Sequence, residues 1–120
     1  ETDLANILVG TFYRHPKVNS DDTFNNNLSN ILQKIADENK IIVLAGDFNY
    51  DLLKIDVDPF AKTFVEQMYS SNLQPCILEP TRIVNGNRPS LIDNIFINTI
   101  DKNIIVVTLL LESLITCQIT

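Results

Sequence analysis

Hydrophobic and polar positions alternate along this chain in blocks that predict strands and helices in turn. Ile7–Tyr13 is rich in β-branched and aromatic residues and predicts a strand, and the uninterrupted apolar run at residues 41–44 predicts a central strand buried on both faces. Residues 73–78 and 91–98 predict two further strands, and residues 104–110 predict a last one.

Two of the intervening segments have the spacing of amphipathic helices. The first is expected to run from Asp21 or Asp22, either of which can cap it, to about Glu38. Pro59 is expected to open the second, which should end near residues 70–72. The predicted apolar faces consist of Phe24, Leu28, Ile31, Leu32 and Ile35 in the first helix and of Phe60, Phe64 and Met68 in the second. The order strand, helix, strand, helix, strand, strand predicts an α/β fold with helices packed on a mixed sheet.

The polar residues after the central strand are the first candidates for chemistry. We expect Gly46 to let the backbone turn sharply, so that Asp47 and Asn49 lie at the carboxyl end of the strand and face the same way. Open sheets flanked by helices bind ligands at this end, and a carboxylate beside an amide suits a metal-bound phosphate and its attacking water. Ordinary turn chemistry is the alternative explanation for these residues.

Polar residues at the other strand ends favour the functional explanation. Tyr13 and Arg14 end the first strand, Thr81 and Arg82 follow the third, and Asp93 is embedded in an otherwise apolar strand. A carboxylate within an apolar strand is unfavourable unless it is paired, so we expect Asp93 to have a function.

Composition and charge limit the classes of function. The chain has 120 residues, 45% of them hydrophobic, which suits a single domain. Its net charge is −6 with scattered Lys and Arg, so any contact with nucleic acid should be local rather than a broad electrostatic one. Cys76 and Cys117 are far apart and predict two reduced, partly buried thiols and an intracellular setting. No apolar stretch reaches the roughly 18 residues of a membrane span, so no membrane partner is expected.

Several motifs, taken in their order along the chain, resemble the endonuclease/exonuclease/phosphatase family. They are Tyr-Arg-His-Pro at residues 13–16, Gly-Asp-Phe-Asn at 46–49 with Asp-Leu-Leu at 51–53, Pro-Thr-Arg-Ile at 80–83, and Ser-Leu-Ile-Asp-Asn-Ile-Phe-Ile-Asn at 90–98. In particular, they are similar to the endonuclease domains of non-LTR retrotransposons, which are encoded beside a reverse transcriptase. The similarity corresponds to roughly the second half of the family domain.

The resemblance implies a role for each matching residue. Asp47 would orient or deprotonate the attacking water, and Asn49 would hold that water or a phosphate oxygen. Asp93 would accept a hydrogen bond from a catalytic histidine and fix its tautomer. The residues implied to contact the substrate are Tyr13, Thr81 and Arg82. A half-buried strand tyrosine and a solvated loop arginine are the alternatives for the first and last of these.

The resemblance also implies a partial four-layer α/β sandwich, Mg²⁺ as cofactor, DNA as substrate, a reverse transcriptase on the parent polyprotein and a nuclear location for an active enzyme. The asparagine and metal-binding glutamate of the family, and its closing Ser-Asp-His-Leu-Pro, have no match in this chain. We therefore expect a partial site that binds a divalent ion weakly and is inactive in the isolated chain. The alternatives are a non-catalytic α/β binding module and, within the family, a phosphomonoesterase.

Residues 113–120 diverge from the family pattern, and a frameshift is one hypothesis for this tail. Residues 113–118 can be encoded as AGT-CTG-ATC-ACT-TGC-CAA, and reading from the third base of the serine codon gives Ser-Asp-His-Leu-Pro. On this hypothesis residues 1–112 form the partial domain, and the shift lies upstream of Leu114 in a decayed element or a faulty gene model. A nucleotide sequence without that motif in another frame refutes the hypothesis.

Overall fold

A computed structural model describes residues 7–15 and 21–99 of the chain. Within them, the elements follow one another as the sequence predicts. They are β1 (Ile7–Tyr13), α1 (Asp21–Ala36), β2 (Ile41–Asp47), a short 3-10 helix (Leu52–Lys54), α2 (Pro59–Ser70), β3 (Gln74–Pro75) and β4 (Asp93–Ile97). The α/β class and the mixed sheet are confirmed. The strand predicted at residues 104–110, Cys117 and the tail at 113–120 lie outside the described residues.

The four described strands form one sheet in the order β1-β2-β4-β3. β1 runs parallel to β2, from Ile7 opposite Ile41 to Tyr13 opposite Asp47. β4 runs antiparallel to β2, with Asp93 opposite Asp47, and also antiparallel to β3. The carboxyl ends of β1 and β2 therefore meet the amino end of β4 at one edge of the sheet.

The sheet is covered by apolar side chains on both faces. Ile42 and Leu44 point to the face that carries the helices, whereas Val43 between them belongs to a separate cluster on the opposite face. This arrangement confirms that residues 41–44 form a central strand buried on both sides. The helix-facing cluster includes Leu28, Leu32, Phe48, Phe64, Met68 and Phe96, and the opposite cluster includes Ile77, Leu91, Ile95 and Ile97.

The helices match their predicted positions, but two residues of the predicted apolar faces are exposed. Ile31 is 38% exposed because it lies at the border of the apolar stripe, roughly 60° around the helix from Leu28. Phe60 is 41% exposed, because the buried side of α2 is turned toward Ala61 and Val65. α1 also ends at Ala36, two residues before the predicted end near Glu38.

Helix α2 begins where its sequence provides a cap. The Asp58 carboxylate accepts hydrogen bonds from the backbone N–H groups of Phe60 and Ala61, at 3.0 and 3.3 Å, and Pro59 occupies the first helical turn. Neither described helix is long and apolar enough to cross a membrane.

β3 and β4 are shorter than predicted, and asparagine side chains bond to backbone groups at their ends. The buried Asn94 amide accepts a hydrogen bond from the Ile77 N–H at 3.0 Å and donates one to the Ile77 carbonyl at 2.9 Å. Asn98 likewise accepts from the Ile42 N–H at 2.8 Å and donates to the Lys40 carbonyl at 3.1 Å. These side-chain bonds hold the ends of the strands in place, but they do not extend the regular backbone pairing of the sheet.

Gly46 is not the turn residue that the sequence suggested. It lies inside β2, and a Cβ atom at this position would come within 1.9 Å of the Phe12 carbonyl oxygen. The glycine is therefore required by the close approach of β1 to β2. The chain turns after Asp47, where Asn49 has a φ of 51°.

Substituting Gly46 should separate these strands. We expect Gly46→Ala to lower the free energy of unfolding by about 3 kcal/mol or more, because the obstructing atoms belong to the backbone. Gly10→Ala is the matched control. Its Cβ would come within 2.8 Å of the Leu44 Cδ2 atom and make an ordinary contact with the Phe12 ring at 3.6 Å, and the flexible Leu44 side chain can move, so a loss of about 1 kcal/mol is expected. Denaturant unfolding of both variants measures the difference, and equal losses would contradict this explanation.

Candidate functional site

A cavity of about 310 Å³ opens at the sheet edge where β2 ends and β4 begins. It contains three of the predicted site residues, namely Asp47, Arg82 and Asp93. Its full lining is Asp47, Arg82, Ile83, Val84, Ile92 and Asp93. Chain segments far apart in sequence thus bring two carboxylates and a guanidinium group to one place.

The strand registers place three predicted residues in a single row across the sheet. Tyr13 is the partner of Asp47 in the parallel pair, and Asp93 is its partner in the antiparallel pair. Side chains of directly opposed residues project from the same face, here the face opposite the helices. We call Tyr13, Asp47 and Asp93 the transverse row.

The charge of Asp93 acts on the Asp47 carboxylate in the transverse row. The pKa of Asp47 is raised above its ordinary value, first by burial and then by the negative charge of Asp93. The backbone N–H of Asn49 and the cations Arg82 and Arg14 act in the opposite direction. Asp47 is therefore a stronger base than an ordinary aspartate, which suits proton abstraction from water.

Arg82 lies on the rim of this cavity. Its backbone is fixed by a bridge to Ser90, with hydrogen bonds of 3.0 and 2.9 Å in the two directions. The side chain is exposed and its positive charge reaches Asp47. An exposed guanidinium beside two carboxylates is available to a phosphate, and this predicted contact remains a prediction.

Thr81 is buried beneath the cavity. It is 4% exposed, and its hydroxyl accepts hydrogen bonds from the N–H groups of Ile92 and Asp93, both at 3.3 Å. These bonds position the start of β4 and with it the Asp93 carboxylate. The substrate contact implied for Thr81 stays a prediction, and its described contacts are with the protein backbone.

Asn49 and Asp47 do not face the same way, contrary to the sequence-based expectation. The left-handed backbone at Asn49 turns the chain away from the strand direction, and its Nδ2 donates to the Arg14 carbonyl at 2.5 Å. Asp47 lines the cavity, whereas Asn49 does not. The backbone N–H of Asn49 still contacts the site, since it donates to Asp47 Oδ1 at 3.1 Å.

Arg14 helps to fix the structure of the turn after β2. The sequence indicated only that it is a polar residue at the end of a strand. It is 9% exposed, and it donates from Nε to the Phe48 carbonyl at 2.7 Å and from Nη2 to the Asn49 carbonyl at 2.6 Å. Its guanidinium carbon lies 3.8 Å from the centre of the Tyr50 ring. No local pattern reveals these contacts, because they join residues 34 to 35 positions apart.

Tyr13 is 66% exposed, so its hydroxyl is accessible to a ligand. Its ring makes an edge contact with His15, with the ring centres 6.4 Å apart. Tyr13 does not line the cavity, although it neighbours Asp47 on the adjacent strand. Its implied phosphate contact stays a prediction.

The donor atoms at this edge suit a hard divalent cation only in part. Mg²⁺ in proteins commonly uses one or two carboxylates and completes its shell with water and substrate phosphate, and Asp47 with Asp93 matches that set. Across residues 7–15 and 21–99, no group of three or more His, Cys, Asp or Glu side chains is placed to hold a metal.

A larger groove of about 460 Å³ lies between α1 and α2. Glu66 is the one ionisable residue in its lining. Paired carboxylates are therefore found at the sheet edge rather than in this groove, and the sheet edge is the better candidate for acid–base chemistry.

Comparisons of the chain with protein-family models, with curated proteins and with solved structures found no match.

Neutralising Asp93 should lower the pKa of Asp47. A raised folded-state pKa means that the folded protein holds the proton more tightly than the unfolded chain, so this contribution to stability is lost as the pH rises through the folded pKa. We expect Asp93→Asn to lower the Asp47 pKa and to reduce that loss, as measured by carboxyl NMR titration and denaturation across pH. Asp56→Asn, at an exposed site, is the control. An unchanged Asp47 titration in Asp93→Asn would show that the two charges do not interact.

Removing the Thr81 hydroxyl should destabilise the start of β4. We expect Thr81→Val to lower the free energy of unfolding by about 2 kcal/mol, since two backbone N–H groups lose their acceptor. Thr81→Ser keeps the oxygen and should lose only about 1 kcal/mol. If serine and valine destabilise equally in denaturant unfolding, the hydroxyl does not have this role.

Proposed function

We propose that this chain is part of a metal-dependent phosphodiesterase related to the DNA-nicking endonucleases of non-LTR retrotransposons, with a partial four-layer α/β sandwich as its fold. The observation that carries the proposal is the transverse row of Tyr13, Asp47 and Asp93, with Arg82 beside it. A base, a hydroxyl donor and a cation gathered at one sheet edge are the groups that hydrolysis of a phosphate ester requires.

The residues at this edge support a division of labour. Asp47, with its raised pKa, orients the attacking water and accepts its proton. Arg82 attracts the phosphate to the rim of the cavity, and the exposed Tyr13 hydroxyl donates to a phosphate oxygen. Asn49 supports Asp47 through its backbone N–H.

Asp47 and Asp93 are the residues that would hold a Mg²⁺ ion. A bound divalent ion supplies charge neutralisation at the phosphate and orients the substrate for in-line attack. Without a bound ion, burial and then the charge of Asp93 raise the Asp47 pKa. The single histidine of the chain, His15, makes a ring contact with Tyr13.

We infer that this set of groups binds a divalent ion weakly and that the isolated chain does not cleave DNA efficiently. The Pro-Thr-Arg motif together with the Ser-Leu-Ile-Asp-Asn-Ile-Phe motif favours the retrotransposon branch over a phosphomonoesterase. On that basis DNA is the proposed substrate, a reverse transcriptase is the proposed neighbour on the parent polyprotein, and the nucleus is the proposed location of an active enzyme.

Two contacts favour the second candidate, a non-catalytic α/β binding module. The Thr81 hydroxyl and the Asn49 Nδ2 group, both implied to act on substrate or water, are hydrogen-bonded to the protein backbone. If these bonds persist when ligands are present, Tyr13, Asp47, Arg82 and Asp93 are the groups left for chemistry.

Ion binding and nicking assays on the 120-residue chain separate the two candidates. We expect Mn²⁺, a paramagnetic substitute for Mg²⁺, to broaden the NMR signals of Asp47 and Asp93, and we expect Asp47→Ala to abolish this broadening. Any Mg²⁺-dependent nicking of supercoiled plasmid should fall about a hundredfold or more in Asp47→Ala. Asp56→Asn, away from the cavity, should behave as the parent chain in both assays.

Each result has a definite meaning. Ion binding that depends on Asp47 supports the phosphodiesterase proposal, whether or not the isolated chain nicks DNA. Absence of ion binding together with absence of nicking supports the binding module and overturns the proposal, as does nicking that persists unchanged in Asp47→Ala.

A further inference from the structure

The turn after β2 carries Asp47 into the cavity and is held by Arg14 from the neighbouring strand. We propose that Arg14 is a positioning residue, which fixes Asn49 in the left-handed conformation and thereby orients the Asp47 carboxylate. The inference rests on the role proposed for Asp47, but the contacts that support it are independent of any reaction.

The contacts link Arg14 and Asn49 in both directions. Arg14 Nη2 donates to the Asn49 carbonyl at 2.6 Å, and Asn49 Nδ2 donates back to the Arg14 carbonyl. The next link runs from the Asn49 backbone N–H to Asp47 Oδ1 at 3.1 Å. The Arg14 backbone N–H also donates to the Asp47 carbonyl at 2.9 Å, which extends the pairing of β1 with β2 by one residue. Arg14 thus contacts both ends of the turn that presents the carboxylate.

The backbone at Asn49 explains why such a clamp is needed. Its φ of 51° lies in the region that residues with a side chain rarely adopt, although Asn tolerates it better than most. In this conformation the turn makes the described bonds to both Arg14 and Asp47. The clamp therefore selects one conformation of the turn among those open to the free chain.

Arginine chemistry suits this task better than lysine chemistry. The rigid fork of the guanidinium donates from two nitrogens to the consecutive carbonyls of Phe48 and Asn49, at 2.7 and 2.6 Å. The same plane packs 3.8 Å from the Tyr50 ring centre, and Tyr50 is 2% exposed. A lysine ammonium keeps the charge but cannot make both planar bonds and the stacking contact at once.

The burial of Arg14 distinguishes positioning from direct participation. Only 9% of the residue is exposed, and it does not line the cavity, whereas Arg82 is exposed and does. Arg14 therefore acts through Asn49 and Asp47 rather than by contacting a substrate.

The test compares the parent chain with Arg14→Lys by NMR in the absence of any metal or DNA. We expect the Asn49 side-chain amide signals to move to the positions of a solvated asparagine, because the turn loses the guanidinium bonds that hold Asn49 against the Arg14 carbonyl. We also expect the Asp47 side-chain carboxyl carbon signal, followed at one fixed pH, to shift as the Asn49 N–H bond weakens. Since lysine keeps the positive charge, these shifts report changed geometry rather than a lost cation.

A destabilised control separates this effect from a general loss of stability. Met68 is fully buried in α2 and contributes to the helix-facing core, so Met68→Ala should lower the free energy of unfolding without moving the Asn49 or Asp47 signals. In the double variant Arg14→Lys with Asn49→Gly, glycine adopts a positive φ readily, and we expect the Asp47 carboxyl signal to return toward that of the parent.

If Arg14→Lys does not fold, Asn49→Ala gives the same information with Arg14 intact, because alanine disfavours the left-handed region. An unchanged Asp47 carboxyl signal in Arg14→Lys, or in Asn49→Ala where that variant replaces it, would overturn the proposal and leave Arg14 with a role in stability alone. These measurements require neither ion binding nor cleavage, so they can succeed or fail separately from the phosphodiesterase proposal.

Discussion

The arrangement of the site follows from the position of β2, which is hydrogen-bonded to a neighbouring strand on each side and covered by apolar side chains on each face. Its neighbours run in opposite directions, β1 parallel and β4 antiparallel. For that reason the end of one neighbour and the start of the other meet where β2 ends. The transverse row is a direct result of this register, and a slip by one residue would send Asp47 to the helix-covered face.

The apolar core stabilises a site in which two carboxylates repel each other. Asp47 and Asp93 lie directly opposite each other, and burial adds to their repulsion at Asp47. Such an arrangement reduces stability and persists where the surrounding structure determines it strongly, as is common at functional sites. Here Thr81 and Asn94 provide that support, since both are buried and both bond to backbone groups of the segments that flank the cavity.

The sequence predicts the elements better than the details of the site. Apolar runs define β1 and β2, and the polar residues near strand ends include Asp47, Arg82 and Asp93, which the structure brings together at one cavity. The direction of Asn49 could not be predicted, because it depends on a bond to the Arg14 backbone 35 positions away. The reason for a glycine at position 46 could not be predicted either. A side chain is excluded there by the carbonyl of Phe12 on the neighbouring strand, and no local sequence pattern shows this contact.

Asn98 sets the starting point for whatever follows β4 in the chain. Its side chain bonds to Lys40 and Ile42 at the beginning of β2, which is the edge of the sheet opposite the carboxylates. The distance along β4 from Ile97 back to Asp93 is about 14 Å at the rise of an extended strand. A side chain that follows β4 in the sequence can therefore reach Asp93 only if the chain first runs back along the whole strand. At the rise of an extended chain, this return takes about four or five residues. The distance from the end of β4, as well as the type of residue, restricts which groups can complete the site.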